Sequence, residues 1–177
     1  MERKESMHFG KRCRVSTFVI LPLLLVSVAS GQSSSVIKTA PPLPPPSGTV
    51  VYVSATWQLE AEMVTGPAGK TIMIQPGTYA ITKTQTPAAG ITVRGATGNR
   101  DDVVIQGWGM NNSAEKRNAF WVRYSDITIA DLTIRDVFYH GVQIAAEYQT
   151  DRIRLHNLKI IDCGERFIKG STNNQEA

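Results

Sequence analysis

The sequence has little cysteine. Only Cys13 and Cys163 occur in 177 residues, and Cys13 lies in a segment that we predict below to be removed. A single remaining cysteine makes no internal disulfide, and Cys163 has no cysteine or histidine cluster beside it to hold zinc. We therefore expect Cys163 to be a buried thiol that packs as a small hydrophobic side chain.

The sequence also has little that would span a bilayer. The apolar run at residues 18–28 has about a dozen residues, which is short for a membrane helix and typical of a secretory signal. Basic residues precede it, and small residues follow it at positions 29–31. We predict that residues 1–30 are a signal peptide, that the mature protein is secreted (extracellular or periplasmic), and that it meets a membrane only during export. An uncleaved membrane anchor is the alternative.

The chain lacks a strong charge outside that segment. The formal net charge is +4 at pH 7, but residues 1–31 hold five Lys and Arg and two Glu. The remaining 14 basic and 13 acidic residues almost balance. Because no basic face is left to attract nucleic acid, we expect no nucleic-acid partner.

Residues 31–49 lack apolar periodicity. They are rich in serine and proline, a composition typical of an extended, exposed linker. Residues 50–177 are then left as a single domain.

What the sequence does have is an internal repeat with a fixed offset. Residues 127–144 read ITIADLTIRDVFYHGVQI and residues 153–170 read IRLHNLKIIDCGERFIKG, so that Leu132 falls on Leu158. Each unit holds short strands of alternating apolar and polar residues, separated by turns too tight for a helix. Such a strand buries one face only, so each coil needs a neighbour above and below it. The pattern predicts an all-β fold, a right-handed parallel β-helix.

One helix is predicted ahead of the coils. Residues 55–64 have helical composition, and Ser54 is placed to be the N-cap. Leu59 and Met63 share one side of this helix, whereas Glu60 faces elsewhere. We expect the helix to cover the open hydrophobic end of the first coil.

Four further apolar triplets precede the repeat, at residues 72–74, 91–93, 103–105 and 120–122. Gly95 and Gly107 follow two of them closely, which predicts positive φ at sharp corners. The polar residues 108–118 are interpreted as a loop that projects from one edge of the stack.

Three stretches carry a family resemblance: VVYVSATWQLEAEMVTGPAGKTIMIQPGTY, ITVRGATGNRDDVVIQG and SDITIADLTIRDV. They resemble the N-terminal part of pectate-lyase-like proteins, over roughly residues 50–171 of this chain. Members of that superfamily have a capping helix followed by a strand that ends in PGTY and then right-handed coils, so the resemblance implies this fold. It is less specific for activity, because the superfamily holds lyases, hydrolases, adhesins and non-catalytic proteins.

The middle residue of each triplet is expected to point to solvent, because the residues on either side of it point inward. Aligning the coils places these middle residues in three outward columns. The first column is Met73, Trp121, Gln143 and Lys169, the second is Thr92, Thr128 and Arg154, and the third is Val104, Thr133 and Lys159.

The resemblance implies that a sugar groove runs along the first column and the turn that leads into it. His140 and Arg166, which occupy equivalent positions of the repeat, flank that column. We expect Trp121 and Gln143 to bind substrate, Trp121 through its ring face and Gln143 through its amide, while nearby cations bind uronate carboxylates. An acidic polysaccharide is therefore the expected partner.

β-Elimination of a uronide needs a base and a cation that stabilises the enolate. Lys169 is the candidate base, provided that the charge of Arg166 makes its proton easier to lose. Arg166 would neutralise the carboxylate, with His140 as a third candidate catalytic residue. The alternatives are ordinary polar positions on the outside of a β-helix, and a non-catalytic surface or adhesive scaffold that uses the same column for binding.

Two pairs of side chains recur one coil apart. Asp136 and Asp162 would lie about 5 Å from each other, which suits a retaining glycosidase; turn carboxylates that bond local amides are the alternative. Asp131 and Asn157 stack at a tight corner, where the resemblance implies a structural ladder of side-chain hydrogen bonds.

No cofactor is firmly indicated. Asp101, Asp102 and Asp126 offer the oxygen ligands that calcium prefers, but their spacing matches no defined loop. Asn111 begins an N-x-S acceptor for glycosylation, provided that the host glycosylates.

A further prediction concerns the end of the sequence. The last triplet, residues 167–169, is followed by GSTNNQEA, with no further coil and no apolar helix to cover the end. Because an uncapped β-helix exposes strand edges, we expect the sequence to be an N-terminal piece of a longer chain that is monomeric when complete. A fragment without independent activity is thus a third functional alternative.

Overall fold

A computed structural model describes residues 40–171, all within the unit of the chain that spans Lys38–Ala177. The predicted signal peptide and the first part of the predicted linker lie outside the described residues. Strands dominate the described range. In chain order the elements are β1 (Val50–Val53), α1 (Thr56–Met63), β2 (Thr71–Ile74), β3 (Gly77–Ala80), β4 (Thr92–Gly95), β5 (Val103–Gln106), β6 (Phe120–Val122), β7 (Thr128–Arg135), β8 (His140–Ala145), a 3₁₀ turn (Ala146–Tyr148), β9 (Arg154–Ile160) and β10 (Arg166–Ser171).

All pairings between these strands are parallel. One sheet has the order β1-β2-β4-β7-β5-β3, with β9 also paired to β7, and a second sheet has the order β10-β8-β6. Parallel neighbours need a crossover connection. After β2, strands and turns rather than α-helices make these crossovers within residues 71–171. The predicted β-rich fold with one helix is confirmed in this coarser form.

Strand β7 pairs with both β4 and β5 because it bends in the middle. Residues 128–130 pair with β4, whereas residues 133–135 pair with β5. Asp131 lies between the two halves with a left-handed φ of 56°. Aspartate adopts this conformation more readily than most side chains, so the strand changes direction here without a loop.

The predicted offset of the repeat is confirmed by the strand register. Leu132 pairs with Leu158, and Val142 pairs with Ile168. Left-handed corners recur with the same offset, so each coil bends at three equivalent points. These corners are Asp126, Asp131 and Asp136 in one coil and Arg152, Asn157 and Asp162 in the next.

Gly95 and Gly107 serve a different purpose from the one predicted. Neither has a positive φ. A Cβ on Gly95 would collide with the carbonyl oxygen of Asp131, and one on Gly107 with the carbonyl oxygen of Asp136. The bent backbone of the next coil therefore packs directly against both positions, and the lack of a side chain is what allows that approach.

Helix α1 begins at Thr56, and the predicted N-cap role of Ser54 is wrong. The N-cap position is Ala55, which has no side-chain hydrogen bond to offer. Instead the Gln58 side-chain oxygen accepts hydrogen bonds from the backbone N–H groups of Ser54 at 2.9 Å and Ala55 at 3.1 Å. A residue inside the first turn thus reaches back to hold the chain at the helix entrance.

The inner side of α1 is buried against the strands. Leu59 and Met63 are buried as predicted, but Glu60, which was expected to face elsewhere, is also only 8% exposed. Its carboxylate accepts hydrogen bonds from the Thr82 backbone N–H at 2.6 Å and the Thr82 hydroxyl at 2.8 Å. Because these bonds replace water, the buried carboxylate is tolerated, and it ties the helix to the segment that follows β3.

The apolar interior is made by alternate side chains of the strands, as the period of two requires. The largest contributions come from residues that are completely or almost completely buried. They include Ile72, Ile74, Val93, Ile105, Phe120, Val122, Ile129, Leu132 and Ile134.

Candidate functional site

The sheet β10-β8-β6 carries most of the predicted site residues on its outer face. Trp121 pairs with Gln143, and Gln143 pairs with Lys169. Their strand neighbours Phe120 and Val142 are buried in the core, so the alternation along each strand turns the middle residues outward. The register of Gln143 and Lys169 is therefore the one predicted from the repeat, and Trp121, which lies before the repeat, takes its predicted place beside Gln143.

The prediction that Met73 begins this column is wrong. Strand β2 pairs with β1 and β4, so Met73 lies opposite Tyr52 and Arg94 in the other sheet. Met73 is also only 6% exposed. The residue that pairs with β6 beside Trp121 is instead Gln85, which forms an isolated parallel bridge with Phe120.

A cleft of about 790 Å³ lies over the outer face of this sheet. Trp121, His140, Gln143 and Lys169 all line it. Arg166 does not, although it pairs with His140 at the same register; its side chain is 62% exposed. The structure thus brings four of the five predicted site residues into one cavity and leaves the fifth outside its lining.

The cleft has walls that the repeat did not predict. Lys116, Arg117 and Asn118 reach it from the loop before β6, and Lys83 and Thr84 reach it from the connection after β3. The loop was expected to project from one edge of the stack, but it closes one side of the column. A basic pair shortly before an apolar triplet was the signal in the sequence, and that pattern does not give the direction of a loop.

Asn118 fastens the loop to the sheet. Its side-chain nitrogen donates to the Gln143 side-chain oxygen at 2.7 Å, and its side-chain oxygen accepts from the His140 backbone N–H at 3.2 Å. The Arg117 carbonyl also accepts from the Tyr139 backbone N–H at 3.1 Å. With its oxygen occupied, the Gln143 amide keeps its N–H groups for a ligand.

His140 is the most buried polar group of the cleft, with 3% of its surface exposed. Its Nε2 lies 3.5 Å from the Glu165 carboxylate, and its Nδ1 is buried without a hydrogen-bond partner within residues 40–171. Burial lowers the pKa of His140, and the charge of Lys169 lowers it further, while Glu165 acts in the opposite direction. The imidazole is therefore neutral at pH 7, with a lone pair on one ring nitrogen.

The lining of the cleft is strongly unbalanced in charge. Among the described residues that form it, Glu165 is the one carboxylate. Opposite charge is carried by the four cations Lys83, Lys116, Arg117 and Lys169. One of these, Arg117, has its charge partly met by Glu115 at 3.0 Å. Cations gathered on concave walls raise the local concentration of anions, so the cavity suits a negatively charged ligand with some apolar surface for Trp121.

The paired aspartates of the glycosidase hypothesis do not line this cleft. Asp136 and Asp162 occupy equivalent left-handed corners, with φ of 58° and 52°. Asp136 also lies 3.4 Å from the Arg135 guanidinium. Their conformation is a reason for aspartate at both positions that requires no chemistry.

Asp131 and Asn157 are hydrogen-bonded at their corner. The Asn157 amide donates to the Asp131 carboxylate at 2.9 Å and to the Gly98 carbonyl at 3.0 Å. Asp131, which is buried, also accepts a charged hydrogen bond from the Arg94 Nε at 3.2 Å, and the Arg94 Nη2 lies 3.0 Å from the same carboxylate. These contacts link three successive coils along the stack.

The three aspartates considered for calcium do not come together. Asp101 binds Lys159 at 2.8 Å, and Asp126 binds Arg152 at 2.6 Å. Asp102 accepts hydrogen bonds from its neighbours in the turn after β4. Among residues 40–171 no group of three or more His, Cys, Asp or Glu side chains is arranged to hold a metal ion.

Cys163 is half-buried and packs against the apolar core. Burial raises the pKa of its thiol to about 11. The side chain is therefore a protonated thiol at pH 7, as expected for a cysteine that fills space rather than one that reacts.

No family model, curated protein or solved structure matches this chain. The resemblance to pectate-lyase-like proteins therefore stays a prediction. Within residues 40–171, α1 is too short to cross a membrane, and no other helix there is long and apolar enough to do so.

Proposed function

We propose that residues 50–171 form coils of a right-handed parallel β-helix, of the kind found in pectate-lyase-like proteins. The parallel pairing of all the named strands supports this, as do the left-handed corners that recur at equivalent positions of the repeat. Crossovers between parallel strands are right-handed in nearly all proteins. We further propose that the protein is secreted, since the signal-like segment precedes this domain.

The cleft over β10-β8-β6 binds a uronate-containing polysaccharide. The observation that carries this proposal is the charge of the lining, four cations against one carboxylate, around an outward tryptophan. Lys and Arg bind carboxylates by charge-assisted hydrogen bonds. The face of Trp121 offers the apolar surface on which sugar rings pack, and the Gln143 amide is positioned to donate to hydroxyl groups.

The same residues suit cleavage by β-elimination. A base takes the proton beside the uronate carboxylate, a cation stabilises the enolate, the bond to the leaving sugar oxygen breaks, and a carbon–carbon double bond remains while that oxygen gains a proton. His140, neutral and beside Lys169, is better suited to accept the proton than Lys169, the candidate base from the sequence. Lys169 then neutralises the carboxylate, whereas Arg166 lies outside the lining of the cleft.

Binding and cleavage can be tested on the full chain with polygalacturonate, alginate and chondroitin. We expect binding at low salt, and an unsaturated product that absorbs in the ultraviolet. Lys169→Gln should weaken binding about tenfold, because one charged contact is worth about 1.5–3 kcal/mol. Lys159→Gln, which removes the same charge from another face, is the matched control and should bind normally.

His140→Gln should keep the binding and lower the rate of product formation by at least about a hundredfold, which is the contribution of a general base. Failure to bind any of the three glycans at low salt would overturn the proposed function.

The competing proposal is a binding scaffold without catalysis. It is favoured by the burial of His140, since only 3% of this residue is exposed and a base must reach the proton that it removes. Retained binding with no product from any of the glycans would decide for the scaffold.

A further inference from the structure

Beside the cleft, three aromatic side chains surround Arg123, the residue that follows β6. The Arg123 guanidinium lies 5.2 Å from the ring centres of Trp121 and Tyr124 and 5.9 Å from that of Tyr148. Trp121 and Tyr148 meet edge to face, with ring centres 5.8 Å apart. We name these four residues the Arg123 cluster. Since Trp121 also lines the cleft, the cluster and the cleft are continuous.

Arg123 is a cation that lies among aromatic rings. It forms no salt bridge among residues 40–171. Its Nη2 donates to the Tyr124 hydroxyl at 3.1 Å, and its Nε is buried with no hydrogen-bond acceptor in the same part of the chain. Aromatic neighbours hold the guanidinium plane in place, and the hydrogen bond to the Tyr124 hydroxyl uses only one of its N–H donors. Such a plane is prepared for a carboxylate, which it binds through two parallel hydrogen bonds.

We propose that the Arg123 cluster is a second carboxylate subsite, which takes a uronate residue further along the polysaccharide than the one bound at Lys169. This inference rests on the proposed function of the cleft. Two strand spacings, about 10 Å, separate Trp121 from Lys169, and Arg123 lies two residues beyond Trp121. One sugar does not span that distance, so the ligand is a chain of several anionic sugars.

The exposed rings support the same ligand. Tyr124 is 40% exposed and Tyr148 is 52% exposed. Tyrosine rings combine an apolar face for the C–H groups of a sugar with a hydroxyl for its polar edge. An isolated inorganic anion would make no use of them.

The test compares a uronate disaccharide with a hexasaccharide, using galacturonate oligomers and the full chain. Arg123→Gln should weaken binding of the hexasaccharide about tenfold and leave the disaccharide unchanged, because the short ligand fills only the Lys169 end. Arg154→Gln is the matched control, since Arg154 is exposed on the other sheet and is likewise without a salt bridge among the described residues. Its hexasaccharide affinity should stay at the wild-type value.

Circular dichroism and the midpoint of thermal unfolding establish that Arg123→Gln folds. If it does not, Tyr148→Ala replaces it, with the same expected difference between the two oligomers but a smaller loss, about threefold to tenfold. Equal losses for both oligomers, or none, would overturn the second subsite while Lys169→Gln still supported the cleft. Absence of binding by either oligomer to the wild-type chain would overturn both proposals.

Discussion

The coil of residues 127–145 and the coil of residues 153–171 have the same apolar pattern but differ in burial. Ile129, Leu132 and Ile134 are completely buried, whereas their equivalents in the later coil are only partly buried. The contrast is greatest between Val142, which has no exposed surface, and its partner Ile168, which is 49% exposed.

The difference comes from the neighbours of each coil. The earlier coil pairs with strands on both sides, namely β4, β5 and β6 on one and β9 and β10 on the other. Among the described residues the later coil pairs on one side only. Apolar patterning therefore decides which side chains turn inward, but these side chains become completely buried only where other parts of the chain cover the coil on both sides.

The sharpest test of this comparison is a matched pair of truncations. Leu132→Ala should lower the free energy of unfolding by about 2–5 kcal/mol, since it removes buried atoms and leaves a cavity. Leu158→Ala, at the equivalent position, should cost roughly half as much, because part of its surface already faces water. Urea unfolding of the full chain measures both. Equal losses would mean that the two coils are equally enclosed in solution.

A second pair tests whether close contact between coils, rather than φ, requires glycine. Gly95→Ala should destabilise the protein by about 1–3 kcal/mol, because the added methyl meets the Asp131 carbonyl of the adjacent coil. Gly170→Ala should be neutral or stabilise by up to about 1 kcal/mol, since that position is open and glycine weakens a strand. A Gly95→Ala variant as stable as the wild type, by thermal unfolding, would contradict the packing of the coils at this corner.

The smallest expected effect concerns pH, and it separates His140 from its equivalent, Arg166. The pKa of His140 is lowered in the folded protein, so below about pH 6.5 the unfolded chain binds a proton that the folded chain does not. The stability due to the neutral imidazole is complete above that pH and decreases as the pH falls toward the folded pKa. In His140→Gln, the midpoint of thermal unfolding should change less between pH 7 and pH 5 than it does in the wild type. Arg166→Gln should make the slope somewhat shallower, because the charge of Arg166 also lowers the His140 pKa. Arg154→Gln, on the other sheet, is the control and should keep the wild-type slope; an unchanged slope in His140→Gln would exclude this residue as its source.

Prediction of strand pairing from the sequence was most accurate within the repeat. The pairing of Gln143 with Lys169 follows from an offset that two adjacent segments share, and the structure has it. Trp121 lies before both segments, and its pairing with Gln143 was predicted from the triplet pattern alone. The triplet of Met73 also lies outside the repeat, and it was assigned to the wrong sheet. Without a copy, a triplet shows which residues turn inward but not which sheet it joins.

The candidate site shows a similar difference, between residues on strands and residues on connections. His140, Gln143, Trp121 and Lys169 lie in or beside strands of the repeat and were found, whereas Lys83, Lys116 and Arg117 lie on connections and were missed. A strand constrains the direction of its side chains through its period of two. A loop such as the one before β6 takes its direction from distant contacts, here the hydrogen bonds of Asn118.

By itself, the sequence determined the inward and outward faces of the strands, the offset between the two coils of the repeat and the use of aspartate and asparagine at left-handed corners. These properties depend on backbone geometry within a few residues and on its repetition. Only the tertiary structure decided which sheet β2 joins, how deeply each equivalent leucine is buried and which cations wall the cleft. Those outcomes depend on contacts between segments far apart in the chain, where small differences in turn length change what each residue meets.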